Sequence, residues 1–160
     1  DKKIVVYTGK LGRFYDNLKL IVRAVPDEYI FLIVGDGPLK NELPKRSNII
    51  KCGAVDYSEV PNYTNIADVL VFPVDTDCSP IAVSEYLAVG KPIVMGTGRI
   101  DWLLKSGKTG YLIVNSVSAW RIGIQNALLL DGLCEKYNIS LAKQLSWQYL
   151  ANKFTDFVNT

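Results

Sequence analysis

Short apolar runs rich in Val and Ile recur at residues 3–8, 29–34, 48–52, 68–74, 92–95 and 110–114. Each reads as apolar on both faces, the pattern of parallel strands buried between two helical layers. The segments between them carry helix spacing. Asp16 is placed to cap a helix through Ala24, Ser58 or Glu59 to open one toward Ile66, and Ser79-Pro80 to open one through Ala88. Ile100–Ser106 reads as a short helix. Alternation of this kind predicts a doubly wound, mainly parallel α/β sheet of about six strands. After Val114 the spacing turns helical, with Ser116 capping Val117–Leu130 and Ser146 capping Trp147–Val158. Trp147 and Tyr149 fall on the apolar face of that last helix. With no repeat, low-complexity segment or linker, residues 1–160 form one domain, an α/β core over 1–114 and a helical tail over 115–160.

Composition narrows the chemistry. The 160 residues are 49% hydrophobic and 21% charged, the balance of one globular domain. A net charge of +2 gives no basic field for a nucleic-acid partner. The absence of histidine excludes Ser-His-Asp and Cys-His nucleophile systems and any His-containing zinc site from this chain. Cys52, Cys78 and Cys134 are odd in number and lack CxxC spacing, which argues against a disulfide framework or a thiolate metal site and for a reducing, cytoplasmic compartment. No apolar run approaches the roughly 20 residues that span a bilayer, and no signal-peptide pattern opens the chain. The first residue is not Met and a strand begins almost at once, which reads as a piece of a longer polypeptide. The sequons at Asn62 and Asn138 read as chance occurrences.

From Cys52 to Gly90 there is no Lys or Arg, yet the stretch holds Asp56, Glu59, Asp68, Asp75, Asp77 and Glu85. Solvated acids at loop tips and helix starts account for Asp56, Glu59 and Asp68. Asp77 and Glu85 flank the loop after a central strand, where open α/β sheets bind ligands.

Three phosphate-type motifs fail on their surroundings. Ser106-Gly107-Lys108-Thr109-Gly110 has Trp102 where a P-loop needs its first glycine, and it follows a helix and precedes a strand, the reverse of a phosphate cradle. Gly35-Asp36-Gly37-Pro38-Leu39-Lys40 has Lys40 in place of the third glycine of a dinucleotide fingerprint, and reads as a tight turn with Pro38 at the first helical position. A phospho-acceptor receiver needs acids after the first strand, where this chain has Tyr7-Thr8-Gly9-Lys10.

In the stretch Asp75–Val94 a strand ends, an acid sits in the loop, a helix opens at Ser79-Pro80 and a second acid lies on that helix. Free amides at such a helix start hold an anion without cations. A diphosphate there would bring a ribose near Glu85 and a further sugar near Asp77, and carboxylates accept strong hydrogen bonds from sugar hydroxyls.

Asp77, seven residues, Glu85, then Ala88-Val89-Gly90-Lys91-Pro92 resembles the Glu-x7-Glu and Ala-x-Gly-Lys-Pro pattern of the retaining GT-B glycosyltransferases of family 4, with Asp for the first Glu. The resemblance continues through Gly9-Lys10-Leu11, Gly35-Asp36-Gly37-Pro38, Cys52-Gly53-Ala54-Val55, Val60-Pro61-Asn62-Tyr63, Ala67–Pro73, Lys108–Val114 and Ser146-Trp147. It implies the Rossmann-like, donor-binding half of a GT-B enzyme, with an N-terminal acceptor domain of the same polypeptide outside these residues. It further implies that Glu85 accepts from the ribose and Asp77 meets the donor sugar. Amides around Ser79, Pro80 and Ile81, except that Pro80 has no N–H, would hold the diphosphate. Gly9 and Lys10, with Arg13 substituting for a lysine where this chain has Tyr15, would supply the first loop and its cations. Gly53 and Ala54 would face the base through backbone groups. The donor would be a UDP- or GDP-sugar, with no metal and no other cofactor. The protein would be cytoplasmic, with peripheral attachment to the inner membrane face open through the N-terminal domain. Two other readings are a stand-alone nucleotide or sugar-nucleotide binding module, and a flavodoxin-like signalling domain that the missing first-strand acids disfavour.

Overall fold

A computed structural model describes residues 2–12, 15–73, 81–130 and 132–158. The strands are β1 (Ile4–Thr8), β2 (Ile30–Val34), β3 (Ile49–Gly53), β4 (Val69–Phe72), β5 (Ile93–Gly96) and β6 (Gly110–Ile113). The helices are α1 (Leu18–Ala24), α2 (Val60–Asn65), α3 (Ile81–Val89), α4 (Val117–Leu128), α5 (Glu135–Gln144) and α6 (Trp147–Val158). All five strand pairings are parallel. The order β3-β2-β1-β4-β5-β6 is that of a Rossmann-like sheet, whose direction of growth reverses between β1 and β4.

Period-two alternation along each strand divides the core. Val5, Tyr7, Phe31, Ile33, Val69, Val71 and Val94 face one layer with residues of α1 and α4. Val6, Leu32, Leu70, Phe72, Ile93 and Met95 face the other with Val83, Tyr86 and Leu87 of α3. The central strands β4 and β5 are buried at every position, as continuous apolar runs require. The edge strands depart from the sequence expectation: β3 has no buried residue and β6 only Gly110, because each has a strand on one side only.

Local corrections concern where helices begin. The N-cap of α1 is Asn17 rather than Asp16, and Asp16 instead pairs with Lys19 at 3.3 Å. Glu59 is the N-cap of α2, one of the two positions the sequence offered, and a shorter turn ahead of it opens on Asp56. Asp56 and Glu59 form a reciprocal capping box around a 3-10 turn, Tyr57–Glu59, that leads into α2. Asp68 is no solvated acid: its Oδ2 accepts from the Ile4 amide at 2.7 Å and its Oδ1 from Lys3 Nζ at 2.9 Å, clipping the start of β1 to the segment before β4. Ile100–Ser106 shortens to a 3-10 turn, Asp101–Leu103. Ser116 does cap α4, accepting from the Ala119 amide at 3.2 Å, and Ser146 Oγ accepts from the Tyr149 amide at 3.3 Å.

The tail contains α5, which the sequence spacing did not locate. Asn138, fully buried on it, donates from Nδ2 to the carbonyls of Lys91 and Thr109 at 2.9 and 3.2 Å. Its amide is therefore engaged, in keeping with a chance sequon. No side chain of α6 is buried; Trp147, Phe154 and Phe157 are all exposed. No helix among the described residues is long and apolar enough to cross a membrane.

Candidate functional site

The carboxyl ends of β1, β2 and β3 turn into three short loops that are laced together by main-chain hydrogen bonds. The Gly9 amide donates to the Val34 carbonyl (3.0 Å), Leu11 to Asp36 (2.9 Å), Leu39 back to Leu11 (3.0 Å) and Gly35 to Gly53 (2.7 Å). This lacing explains the Gly35-Asp36-Gly37 turn better than turn geometry alone. A Cβ on Gly35 would stand 1.9 Å from the Gly9 carbonyl oxygen, and one on Gly37 2.4 Å from that of Leu11, with φ at +133° and +150°. Only glycine lets the backbones approach so closely. Lys40 Nζ and the Gly37 amide both bind the Asp36 carboxylate, at 2.9 and 2.7 Å. Lys40 first, then the amide, hold that carboxyl below its ordinary range.

Helix α3 is fastened to the end of β1 by one phenol. Thr8 points to the α3 side of the sheet, one residue out of step with Tyr7, and both its amide and its hydroxyl donate to Tyr86 Oη, at 2.8 and 3.1 Å. Tyr86 is fully buried, and burial pushes its pKa up to about 12. Tyr7 faces the opposite layer, donates to the Lys10 carbonyl at 2.9 Å, and is pushed far above its ordinary value by burial. The two tyrosines thus set the first loop and α3 on either side of the sheet's reversal point.

Glu85 precedes Tyr86 on α3 and is half-buried. The Tyr57 hydroxyl donates to Glu85 Oε1 at 2.5 Å, a contact 28 residues apart in sequence. That bond to a carboxylate raises the Tyr57 pKa, so the phenol remains a neutral donor. No ion pair to Glu85 is present among the described residues. Glu85 borders two grooves. One, of about 310 Å³, lies between Tyr57, α2 and α3; the other, of about 540 Å³, lies between α3, Trp102 and the α5–α6 junction.

Of the residues singled out in the sequence, Gly9 and Lys10 begin the loop after β1, Gly53 and Ala54 leave β3, and Ile81 and Glu85 lie on α3. All belong to the carboxyl-end side of the sheet or to the helix fastened to it. Lys10 is exposed and forms no ion pair among the described residues. Arg13, Asp77, Ser79 and Pro80 lie outside the described residues. No group of His, Cys, Asp and Glu side chains that could hold a metal ion occurs among the described residues. Tyr57 is the residue that sequence reasoning missed. Its only signal was its place four positions after the flagged Gly53, in a stretch rich in acids and without a cation.

An all-parallel sheet with this order, helices on both faces and a topological switch between β1 and β4 defines the Rossmann-like α/β class. Residues 2–129 match the family described as glycosyl transferases group 1, and the chain belongs to that family. It is 30% identical over 122 residues to TuaC of Bacillus subtilis (strain 168), a protein named as a teichuronic acid biosynthesis glycosyltransferase; the match covers 74% of this chain and 31% of TuaC. Among solved structures, sucrose-phosphate synthase of Thermosynechococcus elongatus superposes with a TM-score of 0.83 at 20% identity, covering 99% of this chain and 45% of that one. Anabaena Alr3699/HepE, solved in complex with UDP, superposes with a TM-score of 0.78 at 15% identity, covering 97% and 49%. These likenesses establish the GT-B Rossmann-like fold, and the chain spans less than half the length of each of these relatives.

Proposed function

We propose that this chain is the donor-binding part of a retaining glycosyltransferase that takes a nucleotide-diphosphate sugar, a UDP- or GDP-sugar, and passes the sugar to an acceptor held by an N-terminal domain of the same polypeptide. The observation that carries the reading is the placement of Glu85. Its carboxylate is held by a neutral phenol, forms no ion pair among the described residues, and is fixed through Tyr86 to the end of β1. A carboxylate so placed is suited to accept from a ribose diol. The complex of Alr3699/HepE with UDP supports the ligand class by analogy.

In this reading the difficult step is departure of a nucleoside diphosphate from an oxocarbenium-like carbon. This chain would stabilise the leaving charge with amides at the start of α3, Ile81 included and Ser79 preceding it, with Lys10 and Arg13 as cations. Asp77 would meet the donor sugar, and Gly9, Gly53 and Ala54 would offer backbone groups to the phosphates and the base. Neither metal nor any further cofactor is needed for that division of labour. The reaction would take place in the cytoplasm, with any membrane attachment through the N-terminal domain. Calorimetric titration of UDP, GDP and ADP into the protein and into Glu85→Gln tests it. One diphosphate binds, and the substitution weakens it by about 1–3 kcal/mol, because a ribose contact loses its charge. Equal affinity in the two proteins would remove Glu85 from the ribose.

A further inference from the structure

We propose that Tyr57 is the positioning residue for Glu85, occupying Oε1 so that Oε2 is presented to the ribose hydroxyls. The inference rests on the donor-binding reading above and deepens it. A carboxylate on the outer side of a helix has two oxygens and several accessible rotamers, and a lone glutamate would lose side-chain entropy on meeting a diol. Here the 2.5 Å bond from Tyr57 fixes one oxygen before any ligand arrives.

Three features separate this contact from an accidental surface pair. The phenol reaches α3 from a 3-10 turn whose own geometry is locked by the Asp56–Glu59 capping box, so the donor is held by its backbone. Only Ala54, Val55 and Asp56 separate that turn from Gly53 at the end of β3, whose carbonyl accepts from the Gly35 amide, so the donor stands close in the chain to the laced loops. The ring is 75% exposed, so the hydroxyl is not there to satisfy a core. A lysine or arginine in this place would neutralise Glu85 and compete with the ligand. A phenol leaves its charge intact and can keep donating while the second oxygen accepts from sugar.

Tyr57→Phe deletes the hydroxyl and keeps the ring. The probes are the nucleoside diphosphate that binds best and its 2′-deoxy counterpart, each titrated into wild type, Tyr57→Phe, Glu85→Gln and the double variant. Tyr57→Phe weakens the ribonucleotide by about three- to tenfold, changes the deoxynucleotide less, and so lowers the ribose preference. In the Glu85→Gln background the same change has less than about a twofold effect, because the partner it positions has gone. An unchanged ribose preference in Tyr57→Phe, or an undiminished effect in the double variant, overturns the positioning role while leaving the nucleotide site standing. If none of UDP, GDP and ADP binds wild type, the donor site itself is refuted, and this role with it.

Discussion

Replacing Tyr86 by Phe removes one oxygen atom from the centre of the molecule. That oxygen accepts from the Thr8 amide at 2.8 Å and from the Thr8 hydroxyl at 3.1 Å, and it lies 3.3 Å from the Thr8 carbonyl. Thr8 is 4% exposed, so water cannot replace the lost acceptor without opening the layer between β1 and α3. An orphaned buried amide costs about 1–3 kcal/mol, and the hydroxyl, which can turn elsewhere, costs less. The ring stays, so no cavity larger than the oxygen forms. The sum is about 2–3 kcal/mol, which for a chain of this size lowers the melting temperature by about 4–12 °C. Thermal unfolding followed by circular dichroism reads it directly. Thr8→Val, which removes the hydroxyl but keeps the amide, should cost less than Tyr86→Phe, and the double variant should cost less than the sum of the two. A Tyr86→Phe protein that melts within about 1 °C of wild type would refute the inference that this phenol fastens α3 to the sheet, because the orphaned amide would then carry no cost.

Gly35→Ala places a methyl group 1.9 Å from the Gly9 carbonyl oxygen at φ +133°. It should destabilise by more than about 3 kcal/mol or displace the β1 loop and weaken nucleotide binding, measured by urea unfolding and titration. Alkaline stability follows from the buried phenols. Tyr86 is raised to about 12 and Tyr7 further, so both keep their protons in the folded state while the unfolded chain loses them near pH 10. Their contribution is fully present below about pH 10 and declines as pH rises through 10–12, by about 1.4 kcal/mol per pH unit for each phenol. Urea unfolding at stepped pH with tyrosinate absorbance at 295 nm measures both the slope and its origin.

The layer structure was legible because buried parallel strands leave continuous runs such as Val69–Phe72 and Ile93–Gly96, and because Ser116 and Ser146 sit where helix starts need an acceptor. Edge strands were less legible: Lys51 interrupts β3, and its ammonium group escapes the sheet to the carbonyls of Lys40 and Leu43. Helix α5 left little trace since its one buried residue is polar, Asn138. In the candidate site, Glu85 and the glycine turns could be read from local order. The lacing of Gly35 onto Gly9, the bond from Thr8 to Tyr86 and the bond from Tyr57 to Glu85 could not, because each joins segments whose separation in sequence carries no pattern. The aspartate at 68 shows the same limit. Its role follows from the Ile4 amide, 64 positions away, and not from its neighbours.

The central claim is that a nucleoside diphosphate occupies the carboxyl edge of the sheet beside α3. Amide chemical-shift mapping during titration of the protein with UDP and GDP tests it most directly. The amides of Gly9, Lys10, Gly53, Ala54, Ile81 and Glu85 should shift together and saturate with one affinity. Shifts confined to the far side of the sheet, or to the cationic groove of Lys45, Arg46 and Lys51 beside β3, would contradict it.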